Sequence, residues 1–188
     1  RVFNYEGNKL TIMNGDAVEY EMTLNADGFA TGVKNAEHNW TITYDKDGYL
    51  LEGKMDGKKC TGQSIEYGNI LYWERYDAAN DFWRRKEATY LDKINFGNIQ
   101  THYAEDLGFS RWAWEAHLFG NTSVNVLESS VWINYGEQKS SSAAVYKYQY
   151  NASGFITSEL KYYGEWNGTD LTGMHQDAET TFTWERIK

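Results

Sequence analysis

The sequence predicts an all-β, mainly antiparallel fold: a β-meander of about ten strands forming a curved, barrel-like sheet, partial or closed, with one helix inserted near residues 110–119. Three observations predict it. One hairpin pattern is written three times, the strands beside it alternate large apolar with polar side chains, and the composition is 16% aromatic, with 15 Tyr, 8 Trp and 8 Phe and no proline. Aromatic residues and Thr favour half-buried pleated surfaces, so composition and pattern agree.

The pattern is fullest in residues 40–54. Trp40, Ile42 and Tyr44 alternate with Thr41 and Thr43, which gives a strand with one apolar and one hydroxylated face. Asp45-Lys46-Asp47-Gly48 then fits a type I turn whose glycine takes positive φ, a hairpin with a G1 bulge. Asn25-Ala26-Asp27-Gly28 before Phe29 and Asn151-Ala152-Ser153-Gly154 before Phe155 repeat it. Leu24 with Phe29, Tyr44 with Tyr49 and Tyr150 with Phe155 are the expected facing pairs beside the three turns.

In chain order, residues 1–5 add a short strand, and 10–14 and 17–24 form a hairpin around Asn14-Gly15-Asp16. Asp56-Gly57 turns the chain into a strand over 58–67, and Gly68-Asn69 into another over 70–76. A polar loop, 77–81, precedes an alternating strand at 82–91. Residues 101–119 lose the period of two. There Ser110 is an N-cap candidate, the run from Arg111 to Phe119 holds good helix formers, and Gly120 is a stop, which together predict the helix. Strand-like composition returns at 124–127 and 131–135, a polar loop covers 136–142, and the third hairpin spans 145–163. Residues 164–177 read as loop around Trp166. The closing strand, 180–187, sets Phe182, Trp184 and Arg186 against Thr181, Thr183 and Glu185.

A chain of 188 residues with no Pro- or Ser-rich divider is expected to form a single domain over 1–188. Its net charge of −9 and pI near 4.9 exclude nucleic acid as a partner, because phosphate binding requires clustered Lys and Arg. Cys60 stands alone and reads as a small half-buried side chain without an internal disulfide. No run approaches the roughly 18 apolar residues of a membrane helix. The start at Arg1-Val2-Phe3 without Met reads as a trimmed end from which a targeting segment is removed.

Tyr44-Asp45-Lys46-Asp47-Gly48-Tyr49-Leu50 resembles the tyrosine-aspartate (YD) repeat of bacterial surface and toxin-shell proteins. Over residues 17–184 the chain resembles an uncharacterised family of Bacteroidetes lipoproteins, described as a domain of unknown function with a porin-like fold. The shared features are degenerate YxYDxxGxL hairpins and a central helical insertion followed by a polar Gly-Asn-Ser-type segment, here Phe119-Gly120-Asn121-Thr122-Ser123-Val124-Asn125-Val126-Leu127. The resemblance implies an antiparallel, barrel-like sheet, export to the periplasm or cell surface, and a lipid anchor upstream of Arg1; it carries over no catalytic residue. The chain is not expected to span a membrane. Its mean hydropathy is −0.71, and Lys34, Lys54, Arg75, Arg84 and Arg85 sit within proposed strands, where a charge at mid-bilayer costs about 2–4 kcal/mol.

Residues 45–56 begin like a calcium loop, yet Leu50 and Asp56 stand where the required Gly and bidentate Glu belong, so the segment reads as a turn. His38, His102, His117 and His175 are isolated, without a Cys or His partner at metal spacing, so neither metal nor cofactor is expected. Glu66, Glu74, Glu87, Asp92 and Glu115 lie near aromatic residues. Paired carboxylates of that kind leave one alternative open, a glycan-processing enzyme. The leading expectation is a non-catalytic domain of an exported envelope protein. Its aromatic residues either fill the core or form a platform for carbohydrate or lipid. Trp112, Trp114 and Trp166 are the candidate ligand-binding residues, because the insertion and the loop before the last strand interrupt the repeat.

Overall fold

Each of the three repeated turns is closed by its first side chain. The structure, a computed structural model, describes residues 1–77, 82–96, 116–135 and 141–184. Asn25 Oδ1 accepts the backbone N–H groups of Asp27 at 3.0 Å and Phe29 at 2.9 Å. Asp45 Oδ1 accepts those of Asp47 and Tyr49, both at 2.9 Å, and Asn151 Oδ1 those of Ser153 and Phe155, both at 3.0 Å. The main chain repeats the same closure, from Asn25 N–H to the Phe29 carbonyl, Asp45 to Tyr49 and Asn151 to Phe155. Gly48, at φ 81°, supplies the left-handed residue that the second turn needs.

Because the turn aromatic pairs with the Asx residue, the ladder outside each turn is shifted by one. Leu24 pairs with Ala30, Tyr44 with Leu50 and Tyr150 with Ile156, each next to a register shift. Leu24/Phe29, Tyr44/Tyr49 and Tyr150/Phe155 are therefore diagonal neighbours rather than facing pairs.

The described strands are β1 (Val2–Glu6), β2 (Lys9–Asn14), β3 (Ala17–Leu24), β4 (Ala30–Lys34), β5 (Asn39–Tyr44), β6 (Leu50–Met55), β7 (Lys58–Glu66), β8 (Asn69–Asp77), β9 (Phe82–Ile94), β10 (Asn125–Asn134), β11 (Ser141–Tyr150), β12 (Ile156–Trp166) and β13 (Leu171–Thr181). They form one antiparallel sheet in sequence order from β1 to β13.

This corrects the expected fold class in three respects. Thirteen strands are present rather than about ten. The largest omission is β13, which replaces the second half of the expected 164–177 loop. All but two of its residues are exposed, so it lacks the apolar alternation that marks a strand and is held by its ladder to β12. The sheet is also not closed into a barrel, since β1 and β13 are its two ends and have one neighbour each. Finally, no helix occurs among the described residues. Residues 116–119 form a turn, in which His117 has φ 53° and the Leu118 carbonyl accepts the Ala30 N–H at 2.7 Å instead of a bond within a helix. The remainder of the expected helix, residues 110–115, lies outside the described residues.

The described residues gather into two compact units, one of 1–64, 73–77, 82 and 116–122, the other of 65–72, 83–96, 123–135 and 141–184. In the first, register aligns Leu10, Met22, Val33 and Trp40 across β2 to β5, all at most 6% exposed. Burying each of these side chains contributes about 1.5–3 kcal/mol. The opposite face of those strands carries Lys9, Thr23, Lys34 and Thr41, all exposed. In the second unit, Leu127, Ala144 and Tyr146 form a buried cluster surrounded by Tyr90, Tyr148 and Tyr163.

Residues 118–125 form a strap along the hairpin ends. In the first unit Asn121 donates its N–H to the Gly48 carbonyl at 2.9 Å and its Nδ2 to the Asp47 carbonyl at 2.7 Å. Gly120, at φ 92°, lies so close that a Cβ would stand 2.6 Å from the Gly48 oxygen and 3.0 Å from the Tyr44 ring. In the second unit Val124 N–H donates to the Gly68 carbonyl at 2.9 Å, and Ser123 Oγ accepts the Ile70 N–H at 3.0 Å.

Candidate functional site

In the second unit the third turn presents an aromatic ring to a group of others. The bonds from Asn151 fix Phe155 immediately after Gly154. Phe96, just past the end of β9, is placed by Asn95, whose N–H donates to the Val124 carbonyl at 2.8 Å and whose Nδ2 donates to the Ser123 carbonyl at 3.3 Å. Past β13, Phe182 N–H donates to the Thr157 carbonyl at 3.0 Å, and Trp184 Nε1 donates to the Ile156 carbonyl at 2.6 Å.

The four rings converge. Phe96 and Phe155 have centroids 5.9 Å apart, Phe155 and Trp184 5.2 Å, and Phe182 and Trp184 stack at 6.5 Å. Phe96 and Trp184 are 47% and 37% exposed, and the neighbouring Ile94 and Val124 are 57% and 46% exposed. Rings in mutual contact with two of them exposed are more than the singly scattered apolar side chain of an ordinary protein surface. The Trp184 indole N–H is already committed to the backbone, so the ring offers only its faces to a ligand.

Two tyrosines near the end of β11 form a separate pair in the same unit. Tyr148 and Tyr150 are 6.4 Å apart, and Lys93 Nζ stands 4.1 Å from the Tyr150 ring centroid. Burial raises the pKa of both hydroxyls above the ordinary tyrosine value, and for Tyr148 the Glu159 carboxylate adds to the effect. The Tyr150 hydroxyl is buried without a hydrogen-bond partner.

Of the expected site residues, Trp112 and Trp114 lie outside the described residues. Trp166 is half-buried at the end of β12, pairs with Leu171 and has its carbonyl bonded by Ser141 Oγ at 2.5 Å; it makes no contact with the four-ring group. Sequence reading passed over the rings that do meet. The signal was present in the aromatic residue after the third turn and in the alternation of Phe182 with Trp184, but nothing local shows that chain segments so far apart converge. Among the described residues no three His, Cys, Asp or Glu side chains gather to hold a metal ion.

No family model and no curated protein matches this sequence. Two solved structures share its architecture. A porin-like protein from Bacteroides uniformis ATCC 8492 superposes with a TM-score of 0.67 at 18% identity, covering 93% of this chain and 73% of that one. A porin-like protein from Bacteroides vulgatus ATCC 8482 superposes with a TM-score of 0.54 at 14% identity, covering 92% and 82%. At these identities the fold is what is shared: the chain has the porin-like all-β fold of these Bacteroides proteins.

Proposed function

We propose that the chain is a non-catalytic binding module of an exported cell-envelope protein, and that it takes an apolar ligand, a lipid chain, on the surface formed by Phe96, Phe155, Phe182 and Trp184. The observation that carries this reading is the four-ring group itself, in which Phe96 and Trp184 are exposed and Phe155 and Phe182 half-buried. The rings are flanked by Ile94 and Val124, and the one indole donor is already spent on a backbone carbonyl. Those features favour an acyl chain over a sugar, which needs polar groups around the ring that stacks on it. The same reading keeps Trp112, Trp114 and Trp166 as candidate ligand-binding residues, with Trp166 apart from the four-ring group. It takes residues 1–188 as one domain, supported by β7 and β8, each of which contributes residues to both compact units.

The envelope location is supported by the fold shared with the two Bacteroides proteins. The lipid-anchored form of the reading rests on the resemblance of residues 17–184 to Bacteroidetes lipoproteins, and a start codon directly before Arg1, with no signal peptide or lipobox cysteine, would remove it. No described helix is long and apolar enough to cross a membrane. Placement beside a membrane rather than within it is supported by the exposed charges on β2 to β5, whose burial in lipid costs about 2–4 kcal/mol each.

Quenching of tryptophan fluorescence by vesicles of brominated phosphatidylcholine tests the ligand. Wild-type protein is expected to be quenched, and the Trp184→Ser and Phe155→Ser variants less so. No quenching of the wild type, or equal quenching of all three, would overturn the reading.

A further inference from the structure

The outer face of the first unit holds a second, chemically different concavity. A trough of about 410 Å³ runs over β2 to β5, within the range of roughly 300–1,000 Å³ in which small ligands are held. Register places Glu21, Lys34 and Asn39 in one transverse row and Lys9, Thr23, Gly32 and Thr41 in the next. The floor is Gly32 between Thr23 and Thr41. The residues between these rows, Leu10, Met22, Val33 and Trp40, send their side chains into the core on the other side.

Gly32 is the residue that needs a reason. Its φ lies outside the left-handed region, so the backbone does not require glycine. A Cβ there would meet Thr23 Cβ at 3.8 Å, an ordinary contact, so packing does not require it either. Glycine inside a strand weakens it and marks places where a ligand or another backbone comes close. Lys9 and Lys34 flank the gap it leaves, and neither ammonium group forms a hydrogen bond or ion pair among the described residues. Lys34 stands in register with Glu21 without pairing to it.

From this arrangement we infer that the trough binds an acidic oligosaccharide, whose carboxylate or sulfate groups pair with Lys9 and Lys34 while its hydroxyls bond to Thr23, Thr41, Asn39 and Glu21. Charge complementarity selects this occupant. In a chain of net charge −9, the trough holds two unpaired ammonium groups against one carboxylate. The side chains of its two exposed rows include hydroxyl groups and no aromatic ring, Trp40 being turned to the core, which suits hydrogen-bonded sugar hydroxyls rather than an acyl chain. The inference is independent of the ring surface in the second unit.

Isothermal titration at low ionic strength with hexagalacturonic acid, a heparin-derived hexasaccharide and neutral maltohexaose tests it. Wild-type protein is expected to bind at least one of the acidic probes and not maltohexaose. The Lys9→Gln/Lys34→Gln double variant and Gly32→Val are each expected to lose at least about tenfold in affinity. Trp184→Ser should leave that affinity unchanged, which separates this site from the lipid reading. Melting temperatures establish that the variants are folded. Failure of the wild type to bind either acidic probe, equal binding of maltohexaose, or full affinity in either trough variant would overturn the site.

Discussion

The Tyr44 hydroxyl donates to the Ala30 carbonyl oxygen at 2.7 Å, and the Tyr148 hydroxyl donates to the Leu127 carbonyl at the same distance. Tyr90 serves Ile70 at 2.5 Å and Trp184 serves Ile156 at 2.6 Å. Each ring donor lies on the strand that follows the one it caps, or just past that strand, and each acceptor sits near the start of its own strand. The aromatic excess of the sequence thus meets backbone groups at the strand ends as well as filling space.

Tyr44→Phe tests the device. It keeps the ring and leaves the carbonyl of the fully buried Ala30 without this donor. The expected loss is about 1–3 kcal/mol, or roughly 2–4 °C in Tm per kcal/mol for a chain of this size. Tyr67→Phe, at a side chain 91% exposed, should change stability by less than about 0.5 kcal/mol. Thermal melts followed by circular dichroism distinguish the two.

Burial also raises the pKa of Tyr44 and Tyr148 in the folded state. Above the unfolded value of about 10, the unfolded chain releases protons that the folded chain retains. Stability is therefore full below pH 10 and falls as pH rises beyond it. Urea titrations from pH 8 to 11 should show that decline, and Tyr44→Phe should make it shallower.

Gly48→Val combines strain with collision. Its φ of 81° disfavours any side chain, and a Cβ would stand 2.9 Å from the Phe29 ring and 3.0 Å from Asn121 Nδ2. Gly28→Val has similar strain, at φ 85°, and open space around it. Both should destabilise by about 1–3 kcal/mol through the backbone, and Gly48→Val should lose more; equal melting temperatures would contradict the seating of the strap on this turn.

Asp56 accepts the Asn39 N–H at 2.9 Å and pairs with His38 Nδ1 at 2.7 Å, and both bonds lower its pKa. A depressed carboxylate stabilises the fold above its unfolded pKa, and that contribution is lost as pH falls through the folded value. Denaturation between pH 6 and 2 should show a decline below about pH 4 that Asp56→Asn reduces.

Cys60 is half-buried, its Sγ lies 3.3 Å from the Gly53 carbonyl, and burial pushes the thiol pKa up to about 11. Only the thiolate reacts. Iodoacetamide at pH 8 should therefore label native protein much more slowly than urea-unfolded protein; comparable rates would contradict the packing of β6 against β7.

The turns were legible in the sequence because their logic is local. Asn25, Asp45 and Asn151 each close their own loop with a side-chain oxygen a few residues away. The register just outside them was read one residue short, since pairing of the turn aromatic with the Asx residue is set by backbone bonds that composition does not reveal. Strand β13 was illegible for a different reason: Thr172, His175 and Gln176 are exposed and polar, and their ladder to β12 makes them a strand. The run before Gly120 has helix formers, but the Leu118 carbonyl is held by Ala30 from far along the chain. The ring group was hidden likewise, since Phe96, Phe155 and Trp184 meet only after folding.

The strap sets a timetable for synthesis. Asn121 closes on Asp47 from 74 residues downstream, so the second turn leaves the ribosome several seconds, roughly 4–15 at ordinary elongation rates, before its fastener exists. During that interval Phe29 and Tyr44 have each other, 5.4 Å apart, but not the Leu118–Asn121 segment that later lies against the same turns. A nascent chain released before residue 118 would lack the bonds that Leu118 and Asn121 make to Ala30, Asp47 and Gly48, and so would leave those hairpin ends uncovered.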